Sequence, residues 1–175
     1  MSRLVVASNR VARPMDARAG GLAAAMLSVL DEHGGLWFGW SGKRVAAAQR
    51  RLHRASSGAI DYALLDLTRE EYEAYYLGFA NRTLWPLHHF EPTLMQYSAE
   101  QYAGYRAVNK LFAKHLAPLI RDDDCVWVHD YHLIPLAAEL RALGVGARIG
   151  FFCTFPCRRP ICSSICRATP ISWPR

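Results

Sequence analysis

The chain has 175 residues, 51% of them hydrophobic and 21% charged, so it can bury the core of a single domain and does not read as disordered. No run approaches the roughly 20 apolar residues of a membrane span, and the start M-S-R-L-V-V-A lacks the basic, apolar, small order of a signal peptide. A cytoplasmic protein with no membrane partner is therefore expected. The formal charge of +6 does not point to nucleic acid: Arg158, Arg159, Arg167 and Arg175 supply 4 of the 6 charges in an acid-free tail, leaving +2 on residues 1–152.

In chain order, residues 4–7 read as a short buried strand stopped by Ser8-Asn9-Arg10. A loop with Pro14, Asp16 and Arg18 leads to Gly20-Gly21, and residues 22–30 have the apolar density of a buried helix. Strand, glycine loop, helix is the order of many phosphate and sugar sites, because glycine admits close backbone approach and a helix N-terminus attracts anions. A Gly-Gly pair alone also suits a simple turn. Residues 35–42, G-L-W-F-G-W-S-G, read as a second strand whose glycines mark close backbone approach beside two exposed or half-exposed indoles, Trp37 and Trp40. The basic stretch 44–54 reads as the solvated face of a helix or loop.

Residues 60–67 form the next predicted strand. Thr68 and Glu71 make a capping box for a helix through Tyr75, Tyr76 and Phe79. The aromatic segment 81–90 is expected to be irregular, with Pro86 ending regular structure. Ser98 and Gln101 make a second capping box, opening a helix to about Leu116. Residues 125–128 then read as a strand with Cys125 buried as a small hydrophobe. A helix near 132–143, a Gly144-Val145-Gly146 turn and a strand at 148–152 complete the pattern. Such alternation predicts an α/β fold with a mostly parallel sheet.

The strand at 125–128 ends in His129-Asp130-Tyr131-His132. Open parallel sheets bind ligands outside the carboxyl ends of their strands, so this polar cluster is placed to hold a polar substrate. The plainer alternative is that Asp130 caps the following helix and the histidines are incidental. Cys153, Cys157, Cys162 and Cys166 crowd the tail, but their C-x3-C and C-x4-C spacings fit a structural zinc site poorly, and a disulfide framework does not suit a cytoplasmic body. No metal or cofactor is expected.

The segments R-L-V-V-A-S-N-R at 3–10, Gly20-Gly21, G-L-W-F-G-W-S-G at 35–42, Y-Y-x-x-F at 75–79, L-W-P at 84–86, V-H-D-Y-H-L at 128–133 and R-I-G-F-F at 148–152 occur in an order and spacing that resembles the trehalose-6-phosphate synthase family. The resemblance implies the N-terminal Rossmann-like half of a GT-B glycosyltransferase over residues 1–152, incomplete and without the second Rossmann domain. It implies transfer of glucose from UDP-glucose to glucose 6-phosphate with retention of configuration. Arg10 and Tyr76 would contact the acceptor phosphate, Asp130 the acceptor hydroxyls, and Trp40 and Trp85 would line the acceptor side. Gly20 and Gly21 would belong to the donor loop. The catalytic set is incomplete, since the family's Arg and Lys that stabilise the departing diphosphate lie in the second domain. A transferase with another acceptor, such as a glycerol phosphate or pseudosugar, and a non-catalytic sugar-phosphate-binding remnant are the alternatives. Arg10, Tyr76 and Asp130 together favour glucose 6-phosphate. Oligomeric state is not legible.

After Phe152 the composition changes: cysteine, arginine and proline rise, acids vanish and apolar periodicity is lost. Where the family continues with a Leu-His-Ile-Pro type motif, this chain reads Cys153-Thr154-Phe155-Pro156. With GC-leaning codons, one C inserted before the Cys153 codon makes the shifted frame read F-F-L-H-I-P-L-P-P-P-D-L-F. A frameshift after Phe152 is therefore expected, with residues 153–175 a non-homologous, disordered tail.

Overall fold

The computed structural model describes residues 2–11 and 21–154; of Gly21 and Leu22 it describes the backbone alone. Gly20, the loop positions Pro14, Asp16 and Arg18, and all of the tail beyond Thr154 lie outside the described residues.

Six strands form one sheet: β1 (Leu4–Arg10), β2 (Gly35–Arg44), β3 (Leu52–Ser57), β4 (Ile60–Leu67), β5 (Cys125–His129) and β6 (Arg148–Phe152). Their order is β3-β4-β2-β1-β5-β6, and every pairing is parallel except β3 with β4. The L-V-V-A run occupies the middle, with Val6 opposite Trp37 on one side and Trp127 on the other. A strand flanked by two parallel neighbours has both faces covered, which is why Val5, Val6 and Ala7 are apolar in succession and fully buried.

Alternate side chains feed two cores. One face packs Val6, Trp37, Tyr62 and Leu64 against Met26 and Leu30 of α1 (Gly21–His33). The other packs Val5, Phe38, Leu65 and Val128 against a helical layer. That layer comprises α2 (Arg69–Tyr72), a π-helical stretch (Glu73–Leu84), α3 (Trp85–His88), α4 (Ala99–Leu116) and α5 (Leu136–Ala142). Phe38 and Phe112 meet edge to face at 5.4 Å and fix α4 on the sheet. No helix of the described residues is long and apolar enough to cross a membrane.

Several expectations change on contact with the structure. The stretch 44–54 is not a solvated helix or loop: β2 runs on to Arg44, a 3-10 turn spans Ala47–Gln49, and β3 begins at Leu52. β3 is an edge strand exposed over most of its length, so it carries no apolar alternation to reveal it. Trp37 and Trp40 are buried rather than half-exposed, because β2 is an inner strand; their ring N–H groups donate to Ser8 Oγ at 2.9 Å and Lys43 O at 2.8 Å. Cys125 opens its strand and is half-buried. Segment 81–90 is largely helical: the π-helical stretch closes with Trp85 N–H on Ala80 O, and Pro86 falls in the first turn of α3, where its missing N–H costs nothing. The Thr68–Glu71 capping box is complete in both directions. At Ser98 the hydroxyl accepts from Gln101 N, but the Gln101 side chain lies against Gly78 and does not return the bond.

Gly39 of β2 explains one glycine of the G-x-x-x-G pattern: a Cβ there would sit 2.3 Å from Ser8 O on β1. Gly39→Ala should destabilise the chain by about 1–3 kcal/mol through this overlap. Gly58, at φ +58° with open space around it, should accept Asn within about 1 kcal/mol. Urea denaturation of both variants checks the contrast.

Candidate functional site

The carboxyl ends of β1, β2, β5 and β6 lie side by side and deliver the sequence-predicted residues to one edge of the sheet. β1 ends at Arg10, whose guanidinium lies over the Trp40 ring at 5.9 Å. Gly42 makes room for it: at φ +85°, a Cβ there would be 3.2 Å from Arg10 Nε and Nη2. Arg10 is exposed and has no carboxylate partner among the described residues. The turn after Trp40 is tied down by its own sequence, W-S-G-K. Ser41 Oγ donates to the buried Asp66 carboxylate at 2.6 Å and accepts from Lys43 N at 3.1 Å. His53 on β3 holds the second Asp66 oxygen at 2.7 Å, and these two partners pull the Asp66 carboxyl below its usual range against the opposing effect of burial.

From Trp40 a chain of rings crosses to β5. Trp40 meets Tyr72 at 5.1 Å and Tyr76 at 6.5 Å; Tyr72 and Tyr76, one helical turn apart, stack at 5.3 Å. Tyr76 stacks on His132 at 5.5 Å, and His132 on Tyr131 at 4.0 Å. The Tyr131 hydroxyl donates to Asn81 Oδ1 at 3.3 Å. One residue before Arg10, Asn9 Oδ1 accepts from the buried Tyr75 hydroxyl at 3.0 Å.

Asp130 follows the last residue of β5 and has φ 73°, the left-handed region that few residues other than glycine adopt. Its N–H donates to Phe152 O at 2.7 Å, and its carbonyl accepts from Leu133 N at 3.0 Å. Carboxylate Oδ1 accepts from Tyr131 N at 3.0 Å, which caps the 3-10 turn Tyr131–Leu133. It also takes Thr154 Oγ1 at 2.9 Å, with Thr154 N at 3.5 Å and Cys153 Sγ at 3.8 Å. Asp130 thus caps the turn from a position at the carboxyl end of β5.

Arg10, Trp40, Tyr76 and Asp130 are therefore gathered along one edge. Trp85 stands at its rim, 42% exposed, stacked near His89 at 3.7 Å, while His88 of the same helical turn packs on Tyr131 at 5.8 Å. Gly21 opens α1; Gly20 lies outside the described residues. Sequence reasoning missed Tyr72, Asn81 and the Ser41–Asp66–His53 network. Tyr72 carried a signal, its i, i+4 spacing from Tyr76. Two cavities of about 410 and 460 Å³ open at the opposite, amino edge, lined in part by Leu143–Gly146 and by Arg3, Arg54 and Asp61; neither includes Arg10, Tyr76 or Asp130. No group of three or more His, Cys, Asp or Glu among the described residues is arranged to hold a metal ion.

The fold and the edge find their counterparts in known proteins. The profile of glycosyltransferase family 20 matches residues 2–163. Trehalose-6-phosphate synthase of Sinorhizobium fredii is 52% identical over 161 residues, 89% of this chain and 35% of that protein. The crystal structure of an alpha,alpha-trehalose-phosphate synthase (UDP-forming) from Burkholderia xenovorans, in complex with glucose-6-phosphate, superposes with a TM-score of 0.82 at 48% identity, covering 87% of this chain and 33% of that one. The E. coli structure bound with UDP-2-fluoro glucose superposes at 0.83 and 42% identity, covering 95% and 38%. The six-stranded sheet is thus part of a GT-B glycosyltransferase architecture. The chain belongs to glycosyltransferase family 20, the trehalose-6-phosphate synthases, and spans about a third of the length of the relatives it matches.

His129 and His132 are buried, and neither ring nitrogen of either has a hydrogen-bond partner. Desolvation lowers both pKa values to about 4, with the Asp130 charge opposing it. The unfolded chain binds these protons near pH 6.5, so between pH 4 and 6.5 it holds more protons than the folded chain. Stability should rise with pH across that window and reach its full value above it. Urea midpoints measured from pH 4 to 7 should show the rise, and His129→Phe should flatten part of it.

Proposed function

We propose that the chain carries the acceptor half of a UDP-forming trehalose-phosphate synthase site. The complete reaction transfers glucose from UDP-glucose to glucose 6-phosphate with retained configuration, giving trehalose 6-phosphate and UDP. One observation carries the reading: Arg10, which among the described residues is supported by the Trp40 ring and not neutralised by a carboxylate, shares an edge with Tyr76 and Asp130. A guanidinium fork and a phenol donor suit a phosphate dianion. Asp130 can accept from sugar hydroxyls, since no protein group among the described residues donates to its Oδ2. The exposed ring of Trp85 can offer an apolar face to the hexose, whereas Trp40, buried under Arg10 and against Tyr72, acts by supporting the guanidinium and not by lining the acceptor site as the resemblance implied. Gly20 and Gly21 belong to the donor loop, where backbone amides can approach a diphosphate.

The cations that stabilise the leaving diphosphate belong to the family's second domain, outside the third of the relatives' length that is matched here, so the 175-residue chain assayed alone should bind the acceptor with little turnover. Isothermal titration of the 175-residue chain with glucose 6-phosphate should show binding that glucose does not reproduce. Arg10→Ala and Asp130→Asn should each weaken it roughly tenfold or more, the worth of a hydrogen bond to a charged group. Equal heats from the native chain and both variants would rule this reading out.

Residues 153–175 we read as the product of a shifted frame after Phe152 on the change of composition and the recoded motif there; the family profile itself matches as far as residue 163. In the restored frame position 154 becomes the histidine of the Leu-His-Ile-Pro motif, in place of the Thr154 that now bonds Asp130. Genomic sequence across the codons for Gly150–Cys157 tests it. Restoring one base should open a continuous second domain; a frame that stays closed would sink the idea.

A further inference from the structure

We infer that Asn109 and Tyr105 of α4 are positioning residues that hold the Asp130 turn in its sugar-binding shape, an inference that rests on the acceptor-site reading above. Asn109 is fully buried on a helix face otherwise formed by Tyr105, Val108, Phe112, Ala113 and Leu116. Its Nδ2 donates to Tyr105 O at 3.0 Å and to His132 O at 3.2 Å. Two carbonyl acceptors on one end of the amide identify that end as the nitrogen. Asn109 Oδ1 has no partner. One turn earlier, the buried Tyr105 hydroxyl donates to Tyr131 O at 2.7 Å. α4 therefore grips the carbonyls of the two residues that follow Asp130.

This grip is costly in stability. A buried amide oxygen without a donor forfeits its hydration, and an apolar side chain of similar size would fill the position without that loss. What the amide secures is geometry. The turn it holds begins with Asp130 at φ 73°, a conformation that persists only when its surroundings over-determine it. The same turn carries His132, whose ring stacks on Tyr76 at 5.5 Å, so one clamp sets both the hydroxyl-binding carboxylate and the ring beside the phosphate-binding phenol.

Asn109→Leu and Tyr105→Phe in the 175-residue chain test it through three readings: the thermal midpoint, amide hydrogen exchange at Tyr131 and Leu133, and the affinity for glucose 6-phosphate. Those two amides bond the Asp130 carboxylate and carbonyl, so they report the turn directly. Asn109→Leu should leave the midpoint unchanged or raised, speed exchange at these amides while β1 and β2 keep their protection, and weaken the sugar phosphate roughly tenfold. Tyr105→Phe removes a single hydroxyl and carries the same expectation for exchange and affinity if the leucine variant folds poorly. A lower midpoint with exchange at Tyr131 and Leu133 unchanged relative to the strands overturns the inference, as does unchanged affinity in both variants. If the native chain fails to bind glucose 6-phosphate, the acceptor reading falls, and the exchange comparison still decides the clamp.

Discussion

The carboxyl edge of the sheet depends on one left-handed residue. At φ 73° Asp130 turns the chain sharply out of β5, and each of its polar groups is committed in doing so: its N–H to Phe152 O, its carbonyl to Leu133 N and one carboxylate oxygen to Tyr131 N. The bond to Phe152 continues the β5–β6 ladder by one residue, so the sheet itself holds the start of the turn. Because β5 also pairs with β1 through Ala7 and Val128, the strand that leads into Asp130 is locked in register beside the one that ends in Arg10. A slip of either strand would turn every side chain to the opposite face and separate the two charges. The placing of Arg10 and Asp130 along one edge is thus a property of the parallel register before it is a property of any side-chain contact.

That dependence explains what was legible in the sequence. β1, β2, β4 and β5 were readable because inner strands are apolar on both faces, and β6, at the sheet's edge, by its short apolar run after the Gly144-Val145-Gly146 turn; the polar residues that end the β1 and β5 runs mark the carboxyl edge directly. Asp130 was found by that rule, whereas Arg10 and Trp40 were picked out by the family resemblance. β3 was illegible because an edge strand carrying Arg54, Ser56 and Ser57 to solvent has the composition of a loop. The helical course through Pro86 was missed because proline forbids only an N–H bond and a clash one turn back, and a π-helical stretch handing over to a new α-turn avoids both. Asn109 sat in plain view as a polar break in the apolar stripe of α4, but a sequence cannot tell an exposed break from a buried one that reaches across to another element.

The layer of rings between Arg10 and Asp130 bears on the electrostatics of the edge. Burial raises the phenol pKa values of Tyr75, Tyr105 and Tyr131 and lowers those of the two histidines, so at neutral pH all five groups are uncharged. Around Arg10 the nearest support is the face of Trp40, which attracts a cation without cancelling its charge. A carboxylate in that place would hold the guanidinium more tightly and leave less of it for a ligand. A layer of neutral, poorly hydrated rings also screens less than water, so an anion docking on Arg10 would feel more of its field than it would on an open surface. The buried, unpartnered imidazoles of His129 and His132 fit the same logic: protonated, either would add a positive charge beside Asp130 and compete for the carboxylate. Keeping them neutral costs hydration and leaves the Asp130 carboxylate without a competing cation from its own turn.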